Sequence, residues 1–322
     1  MSIFPTPFRT AFAVLLVTVC LASLVRASDH GSDSIDLKDD LQNPLGYIAS
    51  NTLTTVALAA ILAVAFTHVW CMIKWGAIWM LCMVIGEFTF AGGIATRYVL
   101  HTNPDSANVY RAEYLLVILS PCAFIAADYI LIGRLSRHLR SGKHLLISPR
   151  RITLVFVSSD ILTFLVQAIG GGLSAGSNPD TAKLGSHIFL AGLILQLVSF
   201  IFFGIVYFVF IIRVRRHERD EWFSDADKPW YNDWRALAAG IAVNIVGITI
   251  RSFYRVAELS QGYRGSIAQD EKLFYLLDTL PLWIAVAMFV PFWPGRFISP
   301  LPKGGERGYA DMQMKPTSAH IE

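Results

Sequence analysis

Charge is scarce in this 322-residue sequence: 16% of the residues are Asp, Glu, Lys or Arg, whereas 54% are hydrophobic. The mean hydropathy is +0.49. Because a soluble domain carries about a quarter charged residues, this surplus of apolar surface requires lipid. The net charge is +3, and the basic residues flank apolar segments without interleaved aromatic residues. This pattern favours membrane lipids as partners and predicts no nucleic-acid partner.

Cysteine and histidine motifs are also few. The four cysteines lie in apolar stretches without CxxC spacing: Cys20, Cys71, Cys82 and Cys122. We expect them to be small packing residues rather than disulfide or zinc ligands. His68 and His187 lie near predicted helix ends without an HxxxH partner, so we expect interfacial histidines. The sequence therefore predicts neither a metal nor a cofactor.

Catalytic motifs are missing as well. The glycines Gly170, Gly171 and Gly172 are not followed by the lysine and hydroxyl pair of a P-loop, so they predict a turn or a close helix contact. There is no cluster of nucleophiles or metal ligands. We predict no catalytic residues and a protein that is not an enzyme.

Seven apolar stretches of about twenty residues are present, and each is long enough to cross a hydrocarbon core of about 30 Å as a helix. They are Tyr47 to His68, Trp75 to Thr96, Glu113 to Ile132, Ile152 to Leu173, Ser186 to Ile212, Ala236 to Ala257 and Leu273 to Trp293. Backbone groups in lipid must be satisfied internally, which favours helices. Five tryptophans fit interfacial belts: Trp70, Trp75, Trp79, Trp283 and Trp293. The fold class predicted is an all-α bundle of seven transmembrane helices.

The chain ends predict the domain organisation. Arg9, an apolar run of about fifteen residues and a small residue at Ala27 resemble a signal peptide over 1–27, although an extra transmembrane helix is the alternative. An extracellular segment over 28–46 follows, then the membrane domain over 47–295. The tail over 296–322 is rich in Pro, Gly and polar residues and is predicted to be disordered and cytoplasmic.

Basic residues are distributed unevenly between alternate connections. Seventeen Lys and Arg residues fall on the side that contains the C-terminus, and six fall on the other side. The richer side is predicted to be cytoplasmic, with the N-terminus outside. This agrees with cleavage of a signal peptide.

Polar and ionisable residues interrupt the apolar stretches, each at a cost on the order of 2.5–3.5 kcal/mol for a central charge, so they are expected to face the bundle interior. The candidate polar-cavity residues are Glu87, Asp128, Asp160, Gln167, Gln196, Asn244, Arg251, Arg255, Glu258, Glu271, Tyr275 and Asp278. Spacing groups several on one helix face: Asp160 with Gln167; Arg251, Arg255 and Glu258; and Glu271, Tyr275 and Asp278.

Two interpretations of these residues stay open. In the first, Arg251 and Arg255 neutralise Asp160, Glu258 or Asp278 and fix helix register. In the second, the residues line a polar cavity that binds substrate. The interior acids outnumber the bases, so such a cavity is predicted to be negative and to favour a cationic head near Asp160 or Asp278.

Several segments resemble the fungal lipid-translocating exporter family, the RTA-like proteins associated with resistance to sphingoid bases, aminosterols and related amphiphiles. The resemblance runs from about Tyr47 to Gly295. It is carried by IRSFYRVAELSQGYRG, DEKLFYLLDTLP, DILTFLVQAIGGGL, GLILQLVSFIFF and PCAFIAADYILIGR. The second stretch departs from the family pattern, since Phe90 and Ala91 replace a Gly-Tyr pair, and Asp128 stands where an apolar residue is expected.

The resemblance implies a multi-pass plasma-membrane protein that exports or flips lipid-like amphiphiles, or that protects cells from them. Any uphill movement would need a proton gradient, with Asp160, Glu258 or Asp278 as candidate carriers. A seven-helix receptor or regulator of membrane lipid stress is the alternative, although the third stretch lacks a DRY-like triplet and the seventh lacks NPxxY. An intramembrane lipid hydrolase is a third class, and the required cluster is missing. The sequence leaves the oligomeric state open.

Overall fold

The computed structural model of the chain describes residues 45, 47–174, 178–225, 227–262 and 265–298. The predicted signal peptide lies outside these residues. The predicted N-terminal segment and tail also lie outside them, apart from Leu45 and residues 296–298.

Seven main helices form the described part of the chain and correspond to the seven predicted stretches. They are α1 (Asn51–Trp75), α2 (Leu81–Ala95), α3 (Ala107–His138), α4 (Pro149–Ser174), α5 (Pro179–His217), α6 (Trp234–Ser260) and α7 (Leu280–Ala287). Short 3-10 turns and the short helix Arg97–Thr102 connect them. Among the described residues, six helical spans are long and apolar enough to cross a membrane. The protein is an all-α, polytopic membrane protein.

The seventh span is interrupted. Glu271–Leu273 is α-helical, Phe274–Thr279 is a π-helical segment, and α7 continues to Ala287 before the chain turns. The predicted helix over 273–293 therefore ends six residues early. Pro281 has no N–H for the carbonyl of Leu277, and Pro291 prevents continuation, so this region cannot be a regular helix.

Side-chain caps set the starts of the long helices. Ser50 Oγ accepts from the N–H of Leu53 at the start of α1, and Asn178 and Asp233 cap α5 and α6. At the other end of α1, Gly76 adopts a φ of 73°, a conformation that glycine adopts readily. These caps fix where the three helices begin.

Each main helix packs against the next, and α7 and its π-helical segment contact α1, so the helices close into a ring. Contacts such as Gly86 with Ala123 and Gly93 with Val117 show that α2 and α3 run in opposite directions. We call the end where α1 begins the Ser50 end, and the opposite end, where α5 finishes, the His217 end. Large apolar side chains cover the outside of α4 and α5, including Leu162, which is 63% exposed, and Val198, which is 58% exposed. Such a surface suits lipid tails.

Candidate functional site

A buried charge network joins α6 to the π-helical segment. Arg251 Nη1 lies 2.8 Å from Asp278 Oδ2, and Arg255 Nε donates to the other oxygen of Asp278. Arg255 Nη1 also lies 2.8 Å from Glu258 Oε2. Arg251 Nη2 donates to the carbonyl of Val117 on α3 at 2.6 Å. Two cations thus face two carboxylates, and the network is formally neutral. This arrangement corresponds to the first of the two interpretations from sequence, in which the two arginines neutralise interior acids, except that Asp160 is not among those acids.

A second network lies at the Ser50 end and centres on Arg97. Its guanidinium lies 2.7 Å from Glu113 Oε1 and 3.1 Å from Glu271 Oε1, and it donates to Tyr47 Oη at 2.8 Å. Glu271 also accepts from the backbone N–H of Ser50 at 2.9 Å. Nearby, the hydroxyls of Tyr275 and Thr54 lie 3.1 Å apart. The second network therefore ties the start of the seventh span to the first three helices.

A small cavity separates the two networks. Its lining includes Arg97 and Glu113 of the second network and Arg255 and Glu258 of the first. The Phe274 ring also lines it and packs against both guanidinium groups. Its volume is about 30 Å³, which is sufficient for one or two water molecules and too small for a lipid headgroup. Because its two arginines face two glutamates, it is not the negative cavity predicted from the sequence.

Glu87 belongs to a separate pair. Its Oε1 lies 2.7 Å from Nδ1 of His68 on α1, and both side chains are buried. Trp293 packs on His68, with 5.2 Å between ring centroids, and its indole N–H donates to the carbonyl of Gly76. Neither the His68 nor the Trp293 side chain is exposed, so both pack inside the bundle rather than on its outer surface, and their position at the membrane interface stays a prediction. A buried acid partner explains why a histidine is tolerated there.

Polar residues also line the contact between α3, α4 and α5. Tyr129 Oη donates to Asp160 Oδ2 at 2.8 Å. Two turns further along α4, Gln167 Nε2 donates to Gln196 Oε1 at 2.8 Å, and Gln196 Nε2 donates to Cys122 Sγ at 3.2 Å. We call this set of five residues the α3/α4/α5 seam. Asp160 and Gln167 share the face that their spacing predicts.

Four buried polar residues have no side-chain hydrogen-bond partner among the described residues: Asp128, Asn244, Tyr254 and Thr279. Both oxygens of Asp128, and both polar atoms of the Asn244 amide, find no hydrogen-bonding group within the part of the chain that the structure describes. Asp160 Oδ1 is also buried and unpartnered among the described residues. Asp160 therefore holds one hydrogen bond from tyrosine and no cation in the described ranges.

The structure thus distributes the twelve predicted site residues over several places rather than one cavity. Sequence reasoning missed Arg97, Glu113, His68 and Tyr129 as members of these clusters. Arg97 was counted only as a flanking charge, although its position 16 residues before Glu113 across a short connection indicated that the two could meet. Within the described ranges, no group of three His, Cys, Asp or Glu residues is arranged to hold a metal.

Comparison with known proteins identifies the family. The profile described as "RTA1 like protein" matches residues 83–300. Protein RTA1 of Saccharomyces cerevisiae is 32% identical over 212 residues, which cover 66% of this chain and 64% of that protein. Protoporphyrin uptake protein 1 of the same yeast is 31% identical over 199 residues, covering 62% of this chain and 63% of that protein.

A third relative carries a lipid in its name. The "Sphingoid long-chain base transporter RSB1" of Saccharomyces cerevisiae is 27% identical over 251 residues, which cover 69% of this chain and 64% of that protein. The chain thus spans less than two thirds of the length of each of these relatives. No solved structure matches the chain. The profile match covers more than half of the sequence, and the chain belongs to the RTA1-like protein family.

Proposed function

We propose that this protein translocates single-chain amphiphiles with a cationic amine head, such as sphingoid long-chain bases, and so protects the cell from toxic amphiphiles. The family and its named transporter relative support a membrane lipid-related transport or resistance role. The observation that carries the proposal is Asp160: a buried carboxylate on a helix that faces lipid, with one free oxygen among the described residues. An ammonium would supply the missing charge-assisted hydrogen bond.

Asp160 is a better partner for a cation than the other interior acids. Asp278 and Glu258 already bind arginines, and Glu87 binds His68. Asp128 lies on α3, with its carboxylate fully buried in the bundle. Ile161 and Phe164, which follow Asp160 by one and four residues on α4, are 55% and 36% exposed, so an alkyl tail in lipid and a head at Asp160 are compatible in one pose.

Asp160 also suits a proton-coupled cycle. The sequence has no P-loop, and a carboxylate that alternates between a proton and an ammonium stays neutralised in both states. A phosphorylated base adds negative charge and an N-acylated base loses the cation, so both relatives should be handled less well. The protein would act in the plasma membrane, with its C-terminus in the cytoplasm.

The test is movement of a fluorescent sphingoid base between the leaflets of liposomes that contain the purified protein. Asp160→Asn should lower the rate about tenfold or more, because a hydrogen bond to a charged group is worth about 1.5–3 kcal/mol. Asp128→Asn is the matched control and should transport normally. Equal competition by ceramide, or by the phosphorylated base, together with normal transport by Asp160→Asn, would contradict the cationic-head proposal.

A sensor of membrane lipid stress is the second candidate. The small volume of the cavity between the two networks, about 30 Å³, favours it, because that cavity cannot hold a lipid headgroup. The same liposome assay separates the candidates. A sensor would bind the fluorescent base without moving it, and Asp160→Asn would weaken binding alone.

A further inference from the structure

The helices α4 and α5 form a tight hairpin whose backbones touch. A Cβ added at Gly170 would lie 2.4 Å from the backbone nitrogen of Phe189, and one at Gly185 would lie 2.3 Å from that of Ser174. A Cβ at Gly192 would lie 2.7 Å from Gln167 Cγ. Contacts of this kind allow close, extensive packing between membrane helices. We therefore treat α4 and α5 as one rigid unit.

The contact between this hairpin and α3 has a different character. Its interactions include the hydrogen bonds from Tyr129 to Asp160 and from Gln196 to Cys122, together with a bond from Thr153 Oγ1 to the carbonyl of Tyr129 at 3.3 Å. A polar headgroup can replace such hydrogen bonds one for one, whereas it cannot replace close backbone packing. Separation from α3 also breaks the ring contacts of Tyr129 with Phe156 and Phe203, at 5.1 and 4.5 Å between centroids. The close glycine contacts join α4 to α5, so the α3 side of α4 is the side that can separate with the smaller loss.

The polar groups of the seam occupy successive depths. Asp160 and Gln167 are two helical turns apart, about 10 Å along α4. Gln196 on α5 meets Gln167 at the second level. Beside the face that carries Asp160, α4 also has exposed apolar side chains, among them Ile161 and Phe164, which are 55% and 36% exposed. A head inside the seam and a tail outside it could therefore move together.

We propose that the headgroup crosses the membrane along the α3/α4/α5 seam, which opens when the α4–α5 hairpin moves away from α3, with Asp160 and the Gln167–Gln196 amide pair as successive contacts. This route rests on the proposed function and specifies where in the bundle it operates. Cys122, which contacts Gln196, becomes accessible whenever the seam is open.

Alkylation of Cys122 tests the route. In a variant that keeps Cys122 and replaces Cys20, Cys71 and Cys82 by Ala, adding sphinganine should raise the rate of N-ethylmaleimide labelling several-fold, and the adduct should block translocation. The matched control keeps Cys82, a half-buried cysteine on α2, as its single cysteine. Its labelling rate should not respond to sphinganine, and its adduct should leave transport at the rate of the same protein before labelling.

A disulfide tests whether the hairpin moves as a unit. The hydroxyls of Ser159 and Ser199 lie 3.3 Å apart between α4 and α5, so these two side chains meet and are the positions chosen for a disulfide between Ser159→Cys and Ser199→Cys. This bond, introduced in a background without the other cysteines that could compete for it, should leave transport close to that of the reduced protein. Loss of transport on oxidation, with recovery on reduction, would overturn the rigid-hairpin route.

The labelling result separates the route from the function. If the base moves but neither the labelling of Cys122 nor its adduct has an effect, the seam is not the route and the proposed function stands. If the base does not move, transport fails as the function, and the labelling rate still decides whether the seam opens to sphinganine. In either case, a Cys122 labelling rate that does not change when sphinganine is added would show that the seam is not the route.

Discussion

Arg251 and Asp278 form an ion pair in which both side chains are buried, and it joins α6 to the π-helical segment that precedes α7. Arg255 binds the other oxygen of the same carboxylate. Asp278→Ala would leave two arginines short of a partner, and Arg255→Ala would leave Glu258 without its cation. Because an uncompensated buried charge destabilises by about 3–5 kcal/mol, each variant should strongly reduce folded protein.

The measurement is the fraction that remains monodisperse in size-exclusion chromatography after heating in detergent. Wild-type abundance and wild-type thermal stability in both variants would contradict a structural role for this network. Resistance of cells to sphingoid bases should fall with the amount of folded protein.

Asp128 should respond in the opposite direction. Its carboxylate is fully buried and has no hydrogen-bonding group among the described residues. Replacing an unsatisfied buried polar group by an apolar one removes a penalty of about 1–3 kcal/mol, so Asp128→Leu should be as stable as wild type or more stable. The same heating assay checks this. A marked loss of stability would reveal a partner of Asp128 outside the described ranges.

The α4–α5 contact supplies a pair of glycine variants. A Cβ at Gly185 would meet backbone 2.3 Å away, whereas nothing lies within 4 Å of one at Gly172. Gly185→Ala should therefore destabilise by about 1–3 kcal/mol through overpacking. Gly172→Ala should be neutral, or stabilising by up to about 1 kcal/mol, because alanine favours helix. Unfolding temperatures of the two purified variants that do not differ would contradict this packing.

Glu218 connects the end of α5 to the segment between α3 and α4, and it should make that connection sensitive to acid. Lys143 Nζ and His144 Nε2 lie 2.6 and 3.0 Å from the same oxygen. These hydrogen bonds, first from Lys143 and then from His144, lower the pKa of the Glu218 carboxyl below its usual value. The stabilisation is thus complete above the unfolded pKa of about 4.3 and is lost as the pH falls through the lower folded value.

The check compares unfolding temperatures of wild type and Glu218→Gln from about pH 7 down to about pH 3. Wild type should be the more stable protein at neutral pH, and the difference should close on acidification. A difference that does not change with pH would show that Glu218 acts through packing rather than charge.

Orientation is a separate prediction. Seventeen basic residues against six predict that a reporter placed after Lys315 is cytoplasmic and that one near Asp36 is outside. Protease protection of each reporter in sealed spheroplasts decides this. A cytoplasmic reporter near Asp36 would also remove the argument for a cleaved signal peptide.

The membrane fold was readable from sequence because length and hydropathy determine it almost alone. All seven predicted stretches contain helix. Two features of the seventh were not anticipated, because a hydropathy pattern shows neither the π-helical segment upstream of Pro281 nor the early end that Pro291 imposes. The glycines at 170–172 were assigned to a turn or a close contact, and Gly170 provides the contact from within α4.

The site was less predictable, since helical spacing defines a face but not the partner that meets it. Spacing correctly aligned Arg251 with Arg255, and Asp160 with Gln167. It did not reveal that both arginines bind Asp278, or that Asp160 accepts a hydrogen bond from Tyr129 instead. Counting the interior charges also gave the wrong balance. It left out His68, which the sequence analysis had placed at the membrane interface, and Arg97, which had been counted only as a charge that sets the orientation in the membrane.

Helix α5 has 39 residues and is therefore about 58 Å long, nearly twice the thickness of a hydrocarbon core. Such a rod acts as a lever: a tilt of a few degrees within the bilayer becomes a displacement of several ångströms at its tip. The tip at the His217 end is also where Glu218 contacts Lys143 and His144. A spin label fixed there, paired with a second on the 3-10 turn that contains His144, would report hairpin movement as a change in distance without any label inside the membrane.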